Sequence, residues 1–137
     1  MPFGHYKNPT IYDATQLREI AVKLQRVHFA VSPFTDALSH VSPGDFVYLD
    51  PPYAPETTTS FVGYTADGFT TTDHQSLFSL CHTIHTRGAR FLLSNANVPL
   101  VTSAFPSPPY TTKIVVCRRA IHSKKPDATT NEVLIYN

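Results

Sequence analysis

The sequence predicts an α/β domain whose sheet is mainly parallel and closes with an antiparallel pair. Three observations carry that prediction. Helical and strand periodicities alternate along most of the chain. The apolar runs Phe46–Leu49 and Arg90–Ser94 are too short for helices and are separated by a helical pattern, the spacing of a βαβ unit. The last part of the chain changes character, with two β-rich runs, Thr112–Cys117 and Glu132–Tyr136, bracketing a polar, basic loop.

Taken in order, Asp13–Val27 has helical spacing in Leu17, Ile20, Ala21 and Leu24, with Asp13 as its N-cap. His28–Val31 is a short strand. Asp36–His40 is a helical turn, and Ser42-Pro43-Gly44 turns the chain into the buried strand Phe46–Leu49. Pro55–Gly68 is a long polar loop that carries Phe61 and Tyr64. A helix starts at Thr72 and ends at Gly88, because a glycine just past a helix takes the left-handed conformation without penalty. The strand Arg90–Ser94 follows, then a short helical piece and the turn Pro106–Pro109. There are no internal repeats, and the proline-rich patches read as turns rather than linkers, so the whole chain 1–137 is expected to be one piece of a domain.

A chain of 137 residues is long enough for a hydrophobic core. Its apolar and charged fractions, 42% and 15%, suit a globular protein. No apolar run reaches bilayer length and no basic-then-apolar leader opens the chain, so no membrane partner is expected. Cys81 and Cys117 stand singly in apolar patterns, for which a reduced intracellular protein is the simpler reading. Cys81-His82-x-x-His85 lacks further ligands at zinc spacing, so no metal site is predicted. The formal net charge is only +1, but it is unevenly spread. No Lys or Arg lies between Arg26 and Arg87, whereas Asp45, Asp50, Glu56, Asp67 and Asp73 fall there. Basic residues gather near the start (Lys7, Arg18, Lys23, Arg26) and in Lys113, Arg118, Arg119, Lys124 and Lys125. Solvated faces would explain this; so would a phosphate-binding surface beside an acidic pocket.

The most informative stretch is Asp50-Pro51-Pro52-Tyr53 at the end of the strand Phe46–Leu49. By composition, such a tetrapeptide arises by chance in about one chain in a few hundred, and its position at a strand's carboxyl end is where α/β sheets bind ligands. The two prolines lack amide hydrogens and have fixed φ, so they present carbonyls on a stiff backbone. Asp50 adds a carboxylate and Tyr53 a flat ring. Together they fit a planar ring bearing an exocyclic amine, whose two hydrogens meet Asp50 and the Pro51 carbonyl while the ring lies on Tyr53. Acceptors out of the ring plane favour a tetrahedral nitrogen and stabilise the positive charge that develops on it during attack on a methyl sulfonium.

Asp-Pro-Pro-Tyr after an apolar strand resembles the signature of amino-group methyltransferases that use S-adenosylmethionine. Pro2–Pro9 (PFGHYKNP), Ser60–Gln75 (SFVGYTADGFTTTDHQ), Leu92–Asn97 (LLSNAN) and Val116–Asn137 narrow the resemblance to the Dam-type (D12 class) DNA adenine-N6 methyltransferases. The resemblance implies a Rossmann-like methyltransferase fold, S-adenosylmethionine as cofactor, double-stranded DNA as substrate, and transfer to N6 of an adenine flipped out of the duplex. It implies catalytic roles for Asp50, Pro51, Pro52 and Tyr53. Asp50 would also lie near the cofactor's methionine end, and Phe34 is placed like residues that line the cofactor adenine, although core packing suits it equally. Tyr6 and Lys7 resemble a base- and phosphate-contacting pair, with a surface aromatic beside a surface charge as the plain alternative. Phe61 and Tyr64 would close over the flipped base or instead pin the loop to the core. Arg118, Arg119, Ser123 and Lys124 suit phosphate contacts, with only one of the two adjacent arginines facing the DNA along a strand. Asn95 and Asn97 would support the pocket or, the preferred reading, cap the next turn.

The family's chains are longer, and the match lies on their C-terminal half. The Gly-rich cofactor loop, the acidic residue that holds the cofactor ribose and the DNA-reading hairpin have no counterpart; the five glycines include no Gly-x-Gly. The resemblance therefore implies a catalytic half that works with a missing N-terminal half, supplied by a second chain or a longer reading frame. Two other readings stand beside it. One is a guanine-N2 RNA methyltransferase, against which the Pro2–Lys7 and Arg118–Asn137 segments argue. The other is a nucleic-acid-binding remnant without activity.

Overall fold

The computed structural model describes residues 12–55, 68–118 and 129–137. The chain divides into two compact units, Met1–Ser32 and Pro33–Asn137. The first contains α1 (Ala14–Leu24), started by Asp13, whose Oδ1 accepts from the Thr15 and Gln16 amides at 2.9 and 3.1 Å. Those two bonds satisfy donors that the helix itself leaves unpaired. The apolar stripe Leu17, Ile20 and Leu24 is exposed. The strand expected over His28–Val31 is absent. Its β-branched and aromatic residues suit a strand, but a strand exists only with a ladder partner. This segment has none among the described residues, and Phe29 and Val31 are exposed.

The second unit carries the sheet. Its elements are α2 (Phe34–Ser39), β1 (Phe46–Leu49), α3 (Thr71–Thr86), β2 (Arg90–Ala96), α4 (Pro99–Thr102), β3 (Thr111–Arg118) and β4 (Thr129–Tyr136). The strands run in the order β1-β2-β4-β3. Only β1 and β2 are parallel, with Val47 beside Phe91 and Leu49 beside Leu93; β4 is antiparallel to both β2 and β3. The sheet is thus α/β and mixed rather than mainly parallel, because the last strand inserts between β2 and β3. The final antiparallel pair is present as expected.

The α3 helix explains why one sheet face is dry. Thr70 and Asp73 form a reciprocal capping box at its start. Gly88, at φ 79°, lets the chain turn past its C-cap Arg87. Between them Leu77, Phe78, Cys81 and Ile84 recur at helical spacing and pack against Phe91, Leu93, Val133 and Ile135, all buried in one core. The opposite face of the sheet leaves Phe46, Tyr48 and Tyr136 exposed. Of the Cys-His-x-x-His set, Cys81 is buried and its thiol pKa is pushed up to about 12 by burial. His82 Nδ1 lies 2.6 Å from the Tyr110 hydroxyl, and His85 Nδ1 lies 2.9 Å from the Asn137 amide. No described helix is long and apolar enough to cross a membrane.

Candidate active site at the end of the parallel pair

Beyond β1 the chain meets two prolines, neither of which can donate to a ladder. The segment Asp50–Ala54 is held instead by side chains of the neighbouring strands, at three points. Asp50 is exposed, and its Oδ1 accepts from Ser94 Oγ at 2.8 Å. The Ser94 hydroxyl has one proton; the Leu49 carbonyl at 3.4 Å and the Tyr48 hydroxyl at 3.5 Å lie farther from it than Asp50, and the Tyr53 hydroxyl is also near enough to feel it. The proton therefore goes to the carboxylate, the shorter and charged acceptor. The Tyr53 hydroxyl donates to Glu132 Oε2 at 3.2 Å. The Ala54 amide donates to Asn95 Oδ1 at 2.8 Å, and the same oxygen accepts from the Ala96 amide at 2.8 Å.

These three contacts come from both faces of the sheet. Ser94 and Ala96 stand opposite Leu134 and Glu132, so Ser94 and Glu132 share one face. Asn95 falls on the other face, next to the core residue Val133, its ladder partner. The Asp50–Ala54 segment thus wraps over the carboxyl end of β2. The Tyr53 phenol has its pKa raised, chiefly by burial; the Ser94 hydroxyl opposes this, and the carboxylates of Glu132 and Asp50 add to it. Tyr53 is therefore a neutral donor and a stable aromatic face.

Ser94 and Glu132 were not among the residues singled out from the sequence. Asn95 supports the segment rather than capping α4, whose N-cap is Val98 without a side-chain bond. The reason is supply: the amide that follows the proline pair and Tyr53 is buried and has no ladder partner, and a side-chain acceptor satisfies it. Asn95 Nδ2 is buried without a partner among the described residues.

Asp50, Pro51, Pro52 and Tyr53 are contiguous at the site. Phe34 opens α2, half-buried, with its ring 5.8 Å from that of Phe69 and packed against the core. Arg118 is exposed at the end of β3. Tyr6, Lys7, Phe61, Tyr64, Arg119, Ser123 and Lys124 lie outside the described residues.

A family model described as D12 class N6 adenine-specific DNA methyltransferase matches residues 1–122. The chain is 34% identical over 126 residues to the type II methyltransferase M.MjaIII of Methanocaldococcus jannaschii, covering 90% of this chain and 43% of that protein. It is 35% identical over 105 residues to the retron Ec67 DNA adenine methylase of Escherichia coli, covering 77% and 35%. It is 34% identical over 108 residues to the type II methyltransferase M1.LlaDCHI of Lactococcus lactis subsp. cremoris, covering 77% and 38%. The chain thus spans less than half the length of these relatives.

Proposed function

We infer the function from one premise: this chain belongs to the D12 class N6 adenine-specific DNA methyltransferase family. It carries the catalytic segment of an enzyme that transfers a methyl group from S-adenosylmethionine to N6 of a flipped adenine in double-stranded DNA. The observation that carries this reading is the Asp50 carboxylate, exposed at a strand end with one oxygen engaged by Ser94, on a proline-stiffened segment that ends in Tyr53. The second carboxylate oxygen and the Pro51 carbonyl accept the two amine hydrogens of adenine. Tyr53 replaces part of the stacking that the base loses on leaving the duplex. As the amine attacks, positive charge grows on nitrogen beside a fixed carboxylate, which stabilises it without reorganisation.

Of the groups that would hold S-adenosylmethionine, this chain supplies two. Asp50 would face its ammonium end and Phe34 its adenine. The cofactor would supply an electrophilic methyl on sulfur; the part taken by this chain is to hold and orient the amine. Phe61 and Tyr64 would close on the base, Tyr6 would touch a base edge, and Lys7, Arg118, Arg119, Ser123 and Lys124 would meet phosphates. The fold in this reading is Rossmann-like, with the described sheet as its C-terminal part, and the protein works where DNA is.

The test is a radiolabelled methyl-transfer assay on duplex DNA, on guanine-containing RNA and without nucleic acid. It uses the chain alone and combined with the remaining part of a relative. Label on adenine N6 in duplex DNA, lost in Asp50→Ala, is the expected result. Label on RNA guanine, or none in either arrangement, would overturn the assignment.

A further inference from the structure

We propose that Glu132 is a positioning residue for Tyr53: from the C-terminal strand it grips the phenol hydroxyl and so sets the plane of the ring that receives the flipped base. The proposal rests on the stacking role given to Tyr53 above.

The geometry has three parts. The Tyr53 backbone is fixed on both sides, by the rigid prolines before it and by the Ala54 amide bonded to Asn95 after it. The tip of the side chain is fixed by Glu132 Oε2 at 3.2 Å, across 79 residues of sequence. Holding root and tip fixes the axis of the side chain, and the phenol O–H lies in the plane of its own ring, so donation to a fixed Oε2 favours the ring plane that contains that oxygen. Glu132 is itself braced: it sits mid-ladder, between Ala96 on β2 and Val115 on β3, and the next residue, Val133, is fully buried. The Asn97 amide donates to the Asn131 carbonyl at 3.4 Å, joining the start of β4 to the end of β2.

Packing alone does not call for an acid at this position. The neighbours of Glu132 on its sheet face include Leu134 and Val115, and an apolar residue would continue that surface. A carboxylate adds an acceptor for the phenol, and it disfavours phenolate, so the donor stays in place. The other titratable group on which Glu132 acts is Cys117 of β3, whose thiol pKa is raised first by burial and then by this carboxylate. A ring preset in this way does not lose its rotational freedom when a base arrives, which is the general gain of preorganisation.

The test has two arms. In the first, the chain is labelled at tyrosine Cζ and titrated by NMR, with Tyr53→Phe assigning the signal. Tyr53 is expected to ionise above the ordinary phenol range and to move down in Glu132→Ala. It should move down less in Glu132→Gln, which loses the charge but keeps an acceptor. Should Glu132→Ala not fold, the shift in Glu132→Gln decides. A Tyr53 titration unmoved in the folded variants overturns the proposal.

The second arm measures turnover on an adenine-containing duplex. Glu132→Ala and Tyr53→Phe should each lower kcat about 2- to 10-fold, the range for one lost hydrogen bond, with the KM for DNA changing less. The double variant should be no worse than either single one, and Glu132→Gln should recover most of the loss. Losses that multiply in the double variant overturn the clamp. If the titration moves as expected but no arrangement of the chain methylates adenine, the clamp stands and the reading of the pocket falls.

Discussion

Replacing Asn95 by alanine should loosen the catalytic segment before it unfolds the domain. Asn95 Oδ1 accepts from two amides, Ala54 and Ala96, each at 2.8 Å, and the side chain is fully buried. Each buried donor left unpaired costs about 1–3 kcal/mol. Against that, the variant removes Asn95 Nδ2, a buried donor without a partner among the described residues, and recovers a similar amount. The net loss of global stability is about 1–3 kcal/mol; exchange at the Ala54 amide reads its own lost bond alone, also about 1–3 kcal/mol, and should quicken by about 5- to 150-fold. Hydrogen exchange read by NMR, with a denaturant midpoint for global stability, measures both quantities. Asn95→Asp separates them. It keeps an oxygen for both amides, so Ala54 stays protected, although a buried carboxylate lowers global stability. Unchanged Ala54 exchange in Asn95→Ala, after correction for global unfolding, would show that the bond holds nothing.

Asp50→Ala should lower kcat in an assembled enzyme about 100- to 1000-fold, the usual cost of removing one group aimed at transition-state charge, with Asp50→Asn nearly as damaging; near-normal turnover of either, in the methyl-transfer assay, would remove Asp50 from the chemistry. Arg118→Ala should weaken DNA binding without regard to sequence and flatten the plot of log affinity against log salt by about one unit; an unaltered slope would assign Arg118 a structural pairing instead. His74 should make stability depend on pH. It is fully buried, its ring nitrogens have no partner among the described residues, and burial lowers its pKa against the weaker pull of Asp73. The unfolded chain takes up the proton near the ordinary value of 6.5 and the native chain does not. Stability is therefore full above that pH and falls below it, by at most about 1.4 kcal/mol per pH unit. Asp73, whose carboxyl is held below its ordinary 3.8 by Thr70, contributes only in stronger acid. Thermal melts of the wild type and of His74→Leu, from neutral to mildly acidic pH, check this; equal pH dependence in both would assign it to other groups.

Signals that act over a few residues were legible in the sequence. Phe46–Leu49 has the bounds expected of it, Asp13 caps α1, and Gly88 lies just past the end of α3. Each follows from turn chemistry, capping or periodicity within one or two turns of chain. Strand order was not legible in this way. The two final β runs were expected to pair, and they do, but nothing local says that β4 rather than β3 lies against β2. That choice decides which side chains reach the catalytic segment, because it puts Glu132 beside Ala96 and within reach of Tyr53. The error at His28–Val31 has the same root, since propensity describes a residue and a ladder requires a neighbour.

The support for Asp50–Ala54 was partly readable, by a rule about donors rather than about motifs. Two consecutive prolines remove two amides from any ladder, so the next buried amide needs an acceptor from a side chain. In a parallel pair the adjacent strand ends alongside, and the polar residues at its carboxyl end are the ones in reach. Here that end reads Ser94-Asn95, following the apolar Leu92-Leu93. Alternation along a strand then sends one of these two residues to each face. Ser94 takes the carboxylate of Asp50 and Asn95 takes the amide of Ala54, so the order Ser-Asn straddles the catalytic segment from both sides of the sheet. Exchanging the two residues would keep the composition and lose both contacts.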